Sequence, residues 1–108
     1  APPLAVYRDV VTPEEEARLV TEADWWLRRQ RYQDGHFDNV IVGYREVQKA
    51  PTAFTAASQA VLKRITSTVF PVGTSLLPLH LLDLRADGYI GRHVDHVEYS
   101  GKYIVGLS

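Results

Sequence analysis

The sequence predicts an α+β chain, and three observations carry that prediction. Two stretches, residues 13–30 and 54–69, repeat apolar residues at helical spacing. Between them, "VIVGYREVQ" collects branched and aromatic residues suited to extended structure. After Leu76 the apolar residues fall into short runs, "LLPLHLLDL", "YIGRHVDHV" and "KYIVGL", separated by "RADG" and "EYSG", which read as turns. Helices and strands first, then consecutive strands, is an α+β order.

The first helix has a full start signal. Thr12 can cap it, Pro13 suits the first turn, and Glu15 completes a Thr-x-x-Glu capping box, with Glu14 and Glu16 beside it at the positive end of the helix dipole. The helix is expected from Pro13 to Gln30, with Leu19, Val20, Ala23, Trp26 and Leu27 as its core stripe. Trp25 falls beside that stripe and could mark a contact surface. Arg28, Arg29 and Arg31 are read as cations favoured at a helix C-terminus rather than as a phosphate site.

"YQDGHFDN" reads as turn, and a strand is expected over Val40 to Val47. Beyond Pro51, the residues Phe54, Ala57, Val61, Leu62, Ile65 and Val69 form a second stripe, ended by Pro71 and Gly73. The C-terminal third is expected to be sheet, with no closing element after "GLS".

Bulk properties narrow the function. A chain of 108 residues fits one domain with one core. Twelve Lys and Arg against 13 Asp and Glu give no net charge that would draw the chain to nucleic acid or an anionic membrane. The absence of cysteine removes disulfides, thiolate catalysis and thiolate-bound zinc. Apolar runs fall short of the roughly 18 residues that suggest a membrane span, and the opening "APPLAVYRDV" has no initiator Met and no basic, apolar leader.

"GYIGRHVDH" carries the chemistry. On a strand, residues i and i+2 share a face about 6.6 Å apart along the chain, so His93 and Asp95 can converge on one ion. Imidazole and carboxylate are ligand types of the triad of two His and one carboxylate that holds non-haem Fe(II). Chance alone also places such a pair on a strand, hydrogen-bonded to neighbours. On a regular strand His96 points to the opposite face. His80 could approach from a neighbouring strand, although a histidine satisfied by hydrogen bonds is the commoner case, and His36 reads as a solvated loop residue.

The segment "DLRADGYIGRHVDHVEYSGKYIVGLS" resembles the Fe(II)- and 2-oxoglutarate-dependent dioxygenases of the AlkB family, in which His-x-Asp is followed by a Gly and then a strand ending in Leu-Ser. Gly101 and Leu107-Ser108 occupy those places. "RRQRYQ", "GYRE" and "GYIGRHVD" keep the order of similar segments in a mitochondrial branch of the family, so the resemblance covers nearly the whole chain.

The resemblance implies a double-stranded β-helix, a jelly roll buttressed by the two helices, with His93 and Asp95 as iron ligands. It implies Fe(II) as metal and 2-oxoglutarate as cosubstrate, with hydroxylation or oxidative dealkylation of a C–H bond as the reaction. It also implies residence in the mitochondrial matrix.

The family pattern includes a distal His ligand and Arg residues that grip the 2-oxoglutarate carboxylate, neither of which lies downstream of His93 and Asp95 within these 108 residues. Residues 1–108 are therefore expected to be the N-terminal half of such a domain, incomplete and inactive alone. Where nucleic-acid-repairing members carry Asn-x-Tyr, this segment offers Leu82, Asp83, Leu84 and Arg85, to within one residue of spacing; the polar pair is not reproduced, so Leu82 and Ile104 are expected to line the cosubstrate pocket by apolar contact. The connection "PVGTSLLPL" is too short for the basic, aromatic lid of repair enzymes. It disfavours duplex DNA, favours a protein or small-molecule substrate and leaves structured RNA open. The rival expectation is a non-catalytic β-sandwich interaction domain that keeps the fold.

Overall fold

A computed structural model describes residues 4–35, 40–91 and 104–108. Its elements are helix α1 (Pro13–Leu27), strand β1 (Gln33–Gly35), strand β2 (Ile41–Lys49), a single 3₁₀ turn (Pro51–Ala53), helix α2 (Ala56–Val69) and strand β3 (Leu79–Ile90). The three strands form one antiparallel sheet in the order β1-β2-β3. The α+β reading therefore holds.

The start signals of both helices act as local chemistry requires. Thr12 Oγ1 accepts from Glu15 N–H at 3.1 Å, and Glu15 Oε1 accepts from Thr12 N–H at 2.9 Å, completing the capping box. Arg64 of α2 donates to both oxygens of the same carboxylate at 2.7 and 2.9 Å, so the box also ties the two helices together. These bonds, Arg64 first, hold Glu15 well down, to about 2. Thr55 caps α2 through Ser58 N–H at 3.3 Å.

α1 ends three residues earlier than its periodicity predicts. Arg28 takes the C-cap, its guanidinium donating to the Trp25 carbonyl at 2.5 Å, and Gln30 N–H closes a turn on the Leu27 carbonyl at 2.9 Å. The helix-end explanation thus holds for Arg28, whereas Arg29 and Arg31 lie beyond the helix. Trp25 is exposed, with the Arg28 guanidinium stacked 3.4 Å above its ring.

The core is Leu27, Tyr44, Phe54, Val61 and Ile65, with Ser58 as its one fully buried polar side chain among the described residues. The apolar stripes are realised unevenly. Val20 and Ala57 face solvent, while Ser58 takes the inward place.

Two strand expectations change. "RADG" is not a turn between strands, because β3 runs through it and pairs with β2 on both sides. Nor do residues 104–108 form a strand, since they pair with no described strand and a strand needs such a neighbour. Within the region read as turn, Gln33–Gly35 forms the short β1.

Candidate functional site

The two faces of the sheet can be told apart by their partners. Arg45 Nη1 donates to the Leu27 carbonyl at 3.3 Å and Lys49 Nζ lies 4.2 Å above the Trp26 ring, so Arg45 and Lys49 point toward α1. Asp83 is the cross-strand partner of Arg45 and shares that face. By strand alternation Tyr44, Glu46 and Gln48 of β2, with His80, Leu82 and Leu84 of β3, occupy the other face.

The helix-side face is locked by charge. Asp83 Oδ2 accepts from Arg45 Nε at 2.7 Å and from the Tyr32 hydroxyl at 2.6 Å, and the guanidinium lies 4.9 Å from the Tyr32 ring centroid. Burial works against the Asp83 anion, but the bonds from Tyr32 and Arg45 outweigh it and lower its pKa. The same pairing raises the Tyr32 hydroxyl, chiefly through its bond to Asp83. This cluster holds the chain after α1 against the sheet, and every polar group in it has a partner.

Leu82 sits half-buried on the far face, directly across from Glu46. His80, two residues earlier, is bonded to Glu46 Oε1 through Nε2 at 2.6 Å, which is the satisfied strand histidine expected as the commoner case. Leu82 therefore has an apolar surface flanked by an imidazole and a carboxylate. Ile104 is 59% exposed and lines a cavity with Leu4, Val6, Ile65, Val69 and Phe70, between the N-terminal segment and the end of α2. Leu82 is not among the residues lining that cavity, so the structure does not bring the two predicted pocket residues together.

Past Leu84 the strand departs from regular pairing. Tyr44 pairs with Leu84 and Val42 with Tyr89, so the single residue Gly43 stands opposite the four residues from Arg85 to Gly88. Gly43 has φ +66°, and a Cβ there would lie 3.0 Å from Gly88 Cα and 3.2 Å from the Arg85 guanidinium. A Cβ on Gly88 would lie 2.8 Å from the Val42 carbonyl oxygen and closer still to that of Gly43. Two backbones touch here, which only glycine allows. Arg85 reaches across this contact, with Asp87 at 3.0 Å and Asp34 of β1 at 3.6 Å. Beyond it Gly91 N–H donates to the Val40 carbonyl, keeping the chain in register two residues short of His93.

His93, Asp95, His96 and His36 lie outside the described residues. Among the described residues, no three His, Asp or Glu side chains cluster closely enough to hold a metal ion. The fit of a metal therefore rests on donor chemistry: imidazole nitrogen and carboxylate oxygen suit Fe(II), and His93 and Asp95 supply one of each.

The sequence reading missed the Tyr32–Arg45–Asp83 clasp, which links residues 51 apart and leaves no local pattern. It also missed the contact of Gly43 with Gly88. An isolated glycine inside a strand pattern is a bulge signal, and "IVGYREV" carries one.

No protein-family model matches the chain. The chain is 42% identical over 104 residues to a mouse protein named alpha-ketoglutarate-dependent dioxygenase alkB homolog 7, mitochondrial, a match that covers 95% of this chain and 46% of the mouse protein. A bovine protein of the same name is 42% identical over 95 residues, covering 87% of this chain and 42% of its own length. The chain thus spans less than half the length of these curated relatives. Among the described residues, no helix is long and apolar enough to cross a membrane.

Proposed function

Because this chain is a relative of the mitochondrial alkB homolog 7 dioxygenases over nearly its whole length, we propose that it is the N-terminal part of an Fe(II)- and 2-oxoglutarate-dependent dioxygenase of that type. The supporting observation is the 42% identity over an alignment of 104 residues that covers 95% of this chain, a span long enough to take in both His93 and Asp95. The proposal extends to a jelly-roll domain completed by further strands, and to residence in mitochondria, which the relatives' names support.

His93 and Asp95 would hold Fe(II) through imidazole nitrogen and carboxylate oxygen, as two of three protein ligands. When bound, Fe(II) and 2-oxoglutarate would supply the chemistry by which dioxygen, as the oxidant, hydroxylates or dealkylates a substrate at a C–H bond while 2-oxoglutarate goes to succinate and carbon dioxide. The residues of this chain provide direction and shelter. Leu82 offers an apolar wall that excludes water beside the cosubstrate, and Ile104 would join it once the domain is complete. The connection between α2 and β3 is eight or nine residues with a single Thr74–Pro71 turn and no Lys, Arg or aromatic side chain from Pro71 to Pro78. That makes a protein side chain or a small molecule a better substrate than duplex DNA, with structured RNA still open.

Metal titration of the full-length protein tests this. Co(II) or Mn(II) binding is expected to be lost in His93→Ala and Asp95→Asn, together with Fe(II)-dependent conversion of 2-oxoglutarate to succinate. Unchanged metal affinity in both variants would sink the proposal and favour a non-catalytic β-sandwich interaction domain.

A further inference from the structure

The regular pairing of β2 with β3, from Tyr44–Leu84 to Lys49–Leu79, carries one carboxylate on each face. On the helix side Asp83 is met by Arg45 and Tyr32. On the far side Tyr44, Glu46 and Gln48 stand with His80, Leu82 and Leu84, so within this stretch Glu46 is the single acid and His80 the single base of that face. Glu46 is also the direct cross-strand partner of Leu82. Opposed residues of an antiparallel pair have Cβ atoms about 5 Å apart, so any molecule resting on Leu82 lies beside the Glu46 carboxylate.

That placement sets up a conflict. An apolar wall at Leu82 suits the methylene groups of 2-oxoglutarate, but this cosubstrate is a dianion, and an uncompensated carboxylate beside it would repel it. His80 supplies the compensation. Its Nε2 lies 2.6 Å from Glu46 Oε1, and the two side chains remain 44% and 31% exposed, so the pair is open on the face it shares with Leu82. The imidazole sets an N–H, and when doubly protonated a positive charge, against the anion. Among the described residues no other base bonds Glu46, since Arg45 and Lys49 of the same strand serve Asp83 and the Trp26 ring on the helix side.

We propose that His80 shields Glu46 so that the Leu82 face accepts a dicarboxylate, which makes His80 a positioning residue for 2-oxoglutarate binding that acts through Glu46. This rests on the dioxygenase reading, in which Leu82 lines the cosubstrate pocket. Loss of the imidazole leaves the Glu46 charge uncompensated beside Leu82. Loss of that charge as well makes the imidazole dispensable. A pair that only braced the two strands would behave otherwise, because removing both partners would not recover ligand binding.

The test uses the full-length protein loaded with Mn(II), which stands in for Fe(II) without turnover, and reads 2-oxoglutarate affinity by isothermal titration calorimetry. Far-UV circular dichroism reports folding. His80→Gln should weaken 2-oxoglutarate binding roughly 3- to 30-fold, as expected of one charge acting over several ångströms in a partly hydrated site. Mn(II) affinity should not change, which separates this role from that of a metal ligand. Glu46→Gln should bind 2-oxoglutarate at least as tightly as the wild type, and adding Glu46→Gln to His80→Gln should recover most of the loss. Unchanged 2-oxoglutarate affinity in His80→Gln overturns the proposal, as does a double variant no tighter than His80→Gln alone. Weaker Mn(II) binding by His80→Gln overturns it too, since His80 would then be a ligand. Should His80→Gln fail to fold, Glu46→Gln carries the test, and weaker 2-oxoglutarate binding by it overturns the shielding. Wild-type protein that takes up Mn(II) but no 2-oxoglutarate overturns the dioxygenase reading and this proposal with it. Wild-type binding matched by His80→Gln overturns the shielding alone.

Discussion

Replacing Glu22 should cost more than any other single surface-accessible carboxylate of α1. Glu22 reaches from α1 to the N-terminus of α2, where Oε1 accepts from Thr55 N–H at 2.7 Å and Oε2 accepts from the Thr55 hydroxyl at 3.0 Å and from the Ser58 hydroxyl. Ser58 is completely buried, so Glu22→Ala leaves its hydroxyl without that acceptor at a cost of about 1–3 kcal/mol. Loss of an anion from the α2 N-terminus adds about 0.3–1 kcal/mol. A total of about 2–3 kcal/mol is expected, measured by urea unfolding followed through the fluorescence of Trp25 and Trp26. Ser58→Ala removes the stranded hydroxyl, so the double variant should lose less than the sum of the two single changes. The sign of the pH dependence follows from the same contacts. Burial resists ionisation of Glu22, but the bonds from Ser58 and Thr55 outweigh it and set its pKa below the ordinary 4.5. Its contribution is therefore complete above that value and disappears as pH falls through the lowered one. Glu14, exposed in the first turn of the same helix, is the control. Equal urea midpoints for Glu22→Ala and Glu14→Ala would refute the reasoning, as would strict additivity in the double variant.

Asp83→Asn removes the shared acceptor of Tyr32 and Arg45 and should destabilise the chain by about 1–2 kcal/mol in the same unfolding assay, with Tyr32→Phe costing less. Because the Asp83 pKa is lowered, the difference between wild type and variant should shrink as pH drops below the ordinary 3.8 and vanish below the lowered value. Thr12→Ala should cost about 1 kcal/mol through loss of the N-cap, whatever the rest of the domain contains. Carboxyl NMR titration should find Glu15 near 2, and Arg64→Ala should move it back toward 4.5, since the Arg64 bond is the largest cause of the shift.

The helices were legible because their signals are local. Thr12, Pro13 and Glu15 lie within four residues and specify a start regardless of the rest of the chain. The C-terminal end of α1 was misplaced because Arg28, Gln30 and Arg31 are all compatible with helix, and what stops it is a turn onto Leu27 that leaves no compositional mark. Ser58 was invisible as a core residue because a hydroxyl earns an interior position only when a partner reaches it, and its partner, Glu22, stands 36 residues away. Glu22 itself falls outside the apolar stripe predicted for α1, and nothing in its spacing marks it as a partner for a second helix. Ala57, apolar and correctly spaced, was displaced outward because the α2 N-terminus is oriented by that carboxylate rather than by its stripe.

The candidate site divides in the same way. On a strand, His-x-Asp spacing would put both side chains on one face, because alternation is a property of three consecutive residues; His93 and Asp95 lie outside the described residues. The contact of Gly43 with Gly88 is of the other kind, because it joins residues 45 apart in the chain and leaves no local pattern beyond an isolated glycine. Reading "RADG" as a turn treated "LLPLHLLDL" and "YIGRHVDHV" as separate strands whose faces could be assigned independently. β3 instead runs continuously from Leu79 to Ile90 and pairs with β2 on both sides of "RADG", so that segment builds the close approach of Gly88 to Gly43 rather than a turn between strands. Substitution of the exposed Ala86 should be tolerated, whereas Gly88→Ala, whose Cβ would press on the carbonyl oxygens of Val42 and Gly43, should lower the urea midpoint.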